Sequence, residues 1–341
     1  MKTIRTEDAV GHVLCHDITR IVKDDTKGVA FRRGHVVTEA DIPELLKLGK
    51  ASLYVFEAKE GMLHENDAAA ILYDISAGEH MTGSEVKEGK IDIYAAEDGL
   101  FQVDVERLKA VNRLGEMMIA TRHTNSPVRK GDKLAGTRVI PLVIESGKME
   151  RARQVAGDVP LLRIHPYRQR KAAVVVTGSE VDKGLIRDTF TPVVLAKLKE
   201  YGIDDVPHRL VGDDPERTVQ AIRDFLADGA EIVLCTGGMS VDPDDRTPLA
   251  IKTVAERVVR YGAPVLPGAM FMLGYAKEGQ ALIGLPGCVM FHGRTIFDII
   301  LPRILADLPI TSDDIAALGH GGLCLNCDTC IFPNCALGAG V

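Results

Sequence analysis

Tryptophan is absent from this 341-residue chain, and aromatic residues make up only 5% of it. That scarcity excludes the aromatic platforms on which proteins stack single-stranded nucleic acid. Basic charge is also short: 41 Lys and Arg stand against 48 Asp and Glu, a formal net charge of -7. A nucleic-acid backbone needs a basic footprint, so no nucleic-acid partner is expected. An acidic chain can still hold a small anion locally through backbone amides. No apolar run approaches the length of a membrane-crossing helix, so no membrane partner is expected. Residues 1–8 are polar and charged, without the apolar core of a secretory signal. Four of the seven cysteines crowd between Cys324 and Cys335, a metal-like rather than a disulfide-like distribution. The expectation is a soluble cytoplasmic protein.

What is present reads as several domains. Residues 1–60 form a small N-terminal α/β unit, with a short helix over 41–48 closed by Gly49 and a strand over 53–56. Residues 61–165 read as an α+β domain and linker. Helices are expected over 65–76 and 105–114 and a strand over 139–144. Ile91–Tyr94 and Leu100–Val103 flank Asp98-Gly99 in the pattern of a hairpin. Gly, Pro and mixed charge place a linker over 147–165. Thr82-Gly83-Ser84-Glu85-Val86 repeats Thr177-Gly178-Ser179-Glu180-Val181 letter for letter. Only the second copy follows a buried-strand pattern, so the first is read as coincidence.

Beyond residue 166 the rhythm changes. Ala172–Val176, Ile232–Cys235 and Ala281–Gly284 are continuous apolar runs suited to strands buried on both faces. Helical patterns over 190–201 and 215–227 and a less buried strand over 206–211 lie between them. Strand and helix in alternation predict a layered α/β domain over 166–312 with a mainly parallel sheet, whose ligands gather at the carboxyl ends of the strands. A Cys-rich tail, 313–341, completes the chain.

Each of those strands runs into a Gly-rich or acidic turn. Thr177-Gly178-Ser179-Glu180 leads on to Gly184 and Asp188. Gly212-Asp213-Asp214 and Thr236-Gly237-Gly238-Met239-Ser240-Val241-Asp242 follow, and then Leu285-Pro286-Gly287. Glycines let a backbone approach an anion closely. Asp242, Asp244 and Asp245 place three carboxylates in four positions, where a cation would relieve their repulsion. A polar turn capping a helix that begins at Thr247 accounts for the same residues.

From Val174 to about Pro302 this series resembles the molybdopterin-binding domain shared by the gephyrin/MoeA-type molybdotransferases and the MogA-type adenylyltransferases. Pro267-Gly268 completes the match. The resemblance implies a three-layer αβα domain whose loops hold the terminal phosphate of molybdopterin or the molybdenum cofactor. The cofactor-binding candidates are Thr177, Gly178, Ser179, Glu180, Thr236, Gly237, Gly238, Ser240, Pro267, Gly268, Pro286 and Gly287. Asp188, Asp242 and Asp245 are the catalytic candidates, with Asp245 also a ligand for Mg²⁺. More faintly, Glu7–Leu14 resembles the opening helix of the molybdotransferases, and residues 78–89 resemble their hairpin domain.

Two departures bear on activity. The molybdotransferase pattern has a lysine just after Pro-Gly, where this chain has Ala269 and Met270, and its Leu-Pro-Gly-Asn-Pro becomes Leu285-Pro286-Gly287-Cys288-Val289. Losing a cation there weakens the case for molybdate insertion more than the case for binding. Cys288 is read as a small packing residue. Asp244-Asp245-Arg246-Thr247 also resembles the double-Asp turn of CinA-type proteins, which implies metal-dependent nucleotide pyrophosphatase chemistry. The function expected is cofactor binding in molybdenum cofactor biosynthesis or delivery, with molybdate insertion open. A CinA-type hydrolase and a non-catalytic carrier or sensor are the alternatives. Molybdate, a recipient molybdoenzyme and a second copy of the chain are the partners implied.

The tail spacing, Cys324-x2-Cys327-x2-Cys330-x4-Cys335, allows four thiolates to close on a metal. A [4Fe–4S] cluster is favoured, because the first three spacings follow a ferredoxin run. Zinc is the rival, with His320 a substitute ligand.

Overall fold

Every residue of the strands Ala172–Thr177, Ile232–Thr236 and Ala281–Leu285 is buried. Such strands need cover on both faces, and the chain supplies it. Alternate side chains point to opposite sides of a strand. Val174, Val176, Leu234 and Ile283 accordingly enter a core with the helices Phe190–Lys199 and Ile296–Leu305. Ala173, Val175, Val233 and Leu282 enter a second core with the helices Pro215–Ala227 and Thr247–Val254. The result is a mixed α/β fold in three layers, helices on both faces of one sheet. The computed structural model that shows this describes residues 2–20, 28–55, 61–178, 188–240, 242–243 and 245–339.

His208–Val211 is the outer strand beside Ala172–Thr177; next come Ile232–Thr236, Ala281–Leu285, Met272–Tyr275 and Arg257–Tyr261. The first four run parallel. The last two form an antiparallel edge that the sequence reading had not placed. From Ala172–Thr177 the chain adds its next strand on one side and the following one on the other. A crevice therefore opens between the loops after Thr177 and Thr236, the place where such sheets bind ligands.

The chain divides into two units, and this sheet lies in the second, which is formed by residues 97–102, 123–129 and 164–341. The hairpin expected at Asp98-Gly99 does not form. Gly99–Val103 pairs with Ser126–Val128, while Lys90–Ala95 pairs with Met81–Gly83 and Lys133–Val139. Local turn chemistry lost to more distant partners.

The first unit comprises residues 1–96, 103–122 and 130–163. Its helices Glu65–Ser76 and Val105–Asn112 lie where the spacing put them, and Ile42–Lys47 ends at a Gly49 with φ +76°. Ser52–Val55 is the expected first-unit strand, and Phe56 lies outside the described residues. Three expectations are corrected. The 147–165 linker is the helix Ser146–Ala156 followed by the strand Leu162–Pro166, because Met149, Ala152 and Ala156 share one face and are wholly buried. The single strand over 139–144 is the end of one strand, Lys133–Val139, and the start of another, Val143–Glu145. The opening helix over 7–14 is only a single 3-10 turn, Thr6–Asp8.

His64 caps the helix Glu65–Ser76 in its neutral form. Its Nε2 donates to the Cys15 carbonyl at 2.7 Å, and its Nδ1 accepts from the Asn66 amide at 3.1 Å. A protonated ring would carry a second N–H facing that amide. Burial pushes His64 and neighbouring His16 below the ordinary 6.5. The unfolded chain therefore binds these protons first as pH falls. Their stabilisation is complete above pH 6.5 and drains away below it. Urea midpoints measured from neutral pH to pH about 5 should fall for the native chain and fall less for His64→Gln. Parallel curves would remove His64 as the cause.

Candidate functional site

The strand register places Val176 beside Thr236 and Thr236 beside Leu285, so the turns after all three strands emerge at one sheet edge. The Thr177 hydroxyl donates to the Thr236 carbonyl at 3.2 Å and lies 3.0 Å from the Thr247 hydroxyl. The Thr247 amide donates to the Gly238 carbonyl at 3.2 Å. These bonds pin the Gly237-Gly238 turn between one strand end and the first turn of the next helix.

Space explains why glycine occupies the turn. Gly237 has φ +84°, and a Cβ there would lie 2.3 Å from the Thr177 carbonyl oxygen. A Cβ on Gly238 would lie 2.9 Å from the Thr247 hydroxyl. Gly268, φ +133°, leaves 2.5 Å between an added Cβ and Ile296 Cγ2. Gly287 differs: an added Cβ would meet nothing nearer than Phe190 Cζ at 4.0 Å. Gly178 also has positive φ, at +134°. The structure thus brings Thr177, Gly178, Thr236, Gly237 and Gly238 together. Ser240 is exposed beyond them, and Pro286 and Gly287 end the neighbouring strand. Pro267 and Gly268 are buried against the start of the helix Ile296–Leu305, whose Ile296 amide donates to the Pro267 carbonyl. Ser179, Glu180, Gly184, Val241 and Asp244 lie outside the described residues.

The carboxylates have structural partners. Asp188 Oδ1 accepts from the amides of Phe190 and Thr191 at 2.9 and 3.1 Å, which caps a helix and leaves Oδ2 outside that cap. Asp245 Oδ2 accepts from the Asp242 amide at 3.2 Å, and the Asp245 amide donates to the Asp242 carbonyl. This reciprocal turn holds the two residues side by side, Asp242 exposed and Asp245 half-buried. Tyr261 stands near. Burial first, and the Asp245 charge second, raise its phenol above the ordinary range, and its hydroxyl donates to the Met239 carbonyl at 3.0 Å.

Three features escaped the sequence reading. Met239 is 3% exposed, and an added Cβ on Gly284 would lie 2.5 Å from its Cε, so Gly284 makes room for the residue that anchors the turn. A glycine inside an otherwise aliphatic strand run, Ala281–Leu285, was the available signal. Lys197 is bonded to both oxygens of Asp298 at 2.7 and 2.8 Å, both side chains buried. A single lysine on a helical face gave no signal. His292, not His320, joins the four tail cysteines around one cavity.

The cysteines occupy a different setting from the one expected. Among the described residues, no group of three or more His, Cys, Asp or Glu side chains is gathered closely enough to hold a metal ion. Neither the zinc tetrathiolate nor a preassembled Mg²⁺ site is therefore seen. Nor is the tail free. The Gly338 amide donates to the Gly321 carbonyl at 2.9 Å and closes the segment into a loop.

Residues 173–306 match the family described as "Probable molybdopterin binding domain", and residues 3–57 match a "Domain of unknown function (DUF8806)". A molybdopterin molybdenumtransferase of Staphylococcus epidermidis is 22% identical over 83% of this chain and 66% of its own length. That of Synechococcus elongatus is 23% identical over 66% of this chain and 56% of its own length. The chain thus spans between 56% and 66% of the length of these curated relatives. The solved molybdopterin biosynthesis enzyme MoaB of Thermus thermophilus is 19% identical over 40% of this chain and 92% of that one, with a TM-score of 0.34. Residues 173–306 thus match the molybdopterin-binding domain family, in a chain that is similar to the molybdopterin molybdenumtransferases.

Proposed function

We propose that the chain binds molybdopterin or the molybdenum cofactor, in the biosynthesis or delivery of that cofactor. The observation that carries this is the turn at Gly237-Gly238, packed too tightly for any side chain and set at the crevice where the sheet's strand order reverses. Amides freed of side chains there suit a terminal phosphate. Thr177, Gly178, Ser179, Glu180, Thr236 and Ser240 would complete the cradle, with Pro267, Gly268, Pro286 and Gly287 at its far side. Asp245 and Asp242, joined in one turn, offer Mg²⁺ one or two carboxylates. That is the donor set Mg²⁺ uses when substrate phosphate supplies the rest. Asp188 would add its second oxygen.

Molybdate insertion is a second step, and Ala269, where the related transferases have a lysine, favours binding over turnover. A carrier would pass its load to a recipient molybdoenzyme, and self-association belongs to the same proposal.

The test is pterin retention by the full chain purified without oxygen, read as pterin fluorescence after oxidation. Retained pterin supports the reading. Asp245→Asn should keep the pterin while altering any Mg²⁺-dependent turnover. No pterin even after incubation with excess cofactor, together with metal-dependent release of a mononucleotide, would replace it with the nucleotide hydrolase.

A further inference from the structure

The C-terminal loop is fastened in three places. The Leu266 amide donates to the Gly322 carbonyl, and the Cys324 amide returns a bond to the Leu266 carbonyl, both at 2.8 Å. The Gly338–Gly321 bond ties the two ends together, as in an Ω-loop. Leu337 packs into the core, and a Cβ on Gly338 would lie 3.4 Å from Ile299. The loop therefore lies over the helix Ile296–Leu305, every residue of which is buried.

Between these anchors the chain has little to order it. No helix or strand forms over 321–339, and Leu323, Leu325 and Ile331 are 58%, 71% and 55% exposed. Leu337 enters the core and Cys324, Phe332 and Cys335 pack against it, but the stretch between Cys324 and Phe332 is largely exposed, and small cysteine-rich segments often fold around a metal. All four cysteines border one cavity of about 410 Å³, whose far wall is the segment Phe291–Arg294.

The size of this cavity discriminates between metals. Zinc draws four sulfurs to about 2.3 Å from a single point. The thiols here share a cavity without such convergence. One water occupies about 30 Å³ of liquid, so the space suits a polyatomic group. A cluster holds its thiolates farther apart than one ion does. Its net negative charge would face Arg294, which Glu200 and Asp298 fix at 2.8 and 2.9 Å and which stands over the Phe332 ring at 5.4 Å.

We propose that Cys324, Cys327, Cys330 and Cys335 ligate an iron–sulfur cluster of the [4Fe–4S] type in this cavity. Each thiol gives up its proton as its sulfur binds iron. The seat is built onto both ends of the candidate pterin site. Leu266 leads into Pro267-Gly268, and Phe291–Arg294 continues the chain from the 3-10 turn Gly287–Met290. The cluster does not depend on the pterin reading.

The test uses the full chain, because removing the loop would bare the helix beneath it. Iron, acid-labile sulfide and zinc are measured after anaerobic purification and after reconstitution with ferric and ferrous iron in equal amounts and sulfide. Iron and sulfide in equal amounts, with broad visible absorption, are expected. Cys327→Ser and Cys330→Ser should lose both; these thiols are exposed, so the substitutions spare the packing, as circular dichroism will show. Cys288→Ala should keep both. One zinc per chain with no iron, or no metal before and after reconstitution, would overturn the proposal. So would iron retained in the two serine variants. Pterin fluorescence on the same samples separates loss of the cluster from failure of the pterin reading.

Discussion

Asp298→Ala is expected to cost about 3–5 kcal/mol and lower the melting temperature by about 10 °C. Asp298 is the hub of a buried network. Lys197 meets both its oxygens, Arg294 meets Oδ1 at 2.9 Å, and the Thr295 amide meets Oδ2 at 2.8 Å. With side-chain exposures of 7% and 2%, Lys197 and Asp298 are shielded from water. Removing the carboxylate leaves the Lys197 ammonium with the Gly293 carbonyl at 2.7 Å and no countercharge among the bonds described for it. Such a charge is far costlier than the lost attraction alone. Lys197→Met combined with Asp298→Asn should recover most of the loss, since no charge is stranded and the cap acceptor is kept. Denaturant unfolding measures both. A single-variant cost below about 1 kcal/mol, the value of an exposed pair, would show that water reaches the site.

Gly237→Ala should abolish pterin retention and destabilise the second unit, while Gly287→Ala should leave stability within about 0.5 kcal/mol of the native value. The contrast follows from geometry. At Gly237 a positive φ adds about 1–3 kcal/mol of backbone strain for any other residue. The added carbon also overlaps the Thr177 carbonyl at 2.3 Å, and backbone cannot rotate away as a side chain can. Relief requires the turn to move, and the amides proposed to face the phosphate would move with it. Gly287 has open space, so a methyl group there tests proximity to the ligand without disturbing the fold. Equal pterin retention in Gly237→Ala and the native chain would remove the phosphate cradle from this turn.

Legibility in the sequence followed the range of the interactions concerned. Ala172–Thr177 and Ile232–Thr236 were readable because burial on both faces demands an unbroken apolar run. Pro215–Ala227 announced itself through Asp214 and Pro215, a cap and a first-turn residue that act within one helical turn. The Asp98-Gly99 turn misled because the flanking strands found better partners farther along the chain, as in Phe101 against Ser126. Ser146–Ala156 was missed because its buried face is carried by Met149, Ala152 and Ala156, small or flexible residues among charges. The edge strand Arg257–Tyr261 was missed because it is half wet and its apolar pattern is weak, and its buried neighbour Met272–Tyr275 because it is four residues long and interrupted by Gly274.

The sequence by itself determined the alternation of strands and helices, the placing of glycines in the turns after the buried strands, and the grouping of four thiols in one short segment. These are local properties, set by side-chain volume, backbone freedom and spacing. Only the tertiary structure decided which turns meet. The register that sets Thr236 between Val176 and Leu285 arises from pairing between segments far apart in the chain, which no local pattern encodes. The same holds for Lys197 and Asp298, 101 residues apart in sequence, and for the tail, whose cysteines acquire a cavity because Leu266 and Ile299 give the loop somewhere to dock.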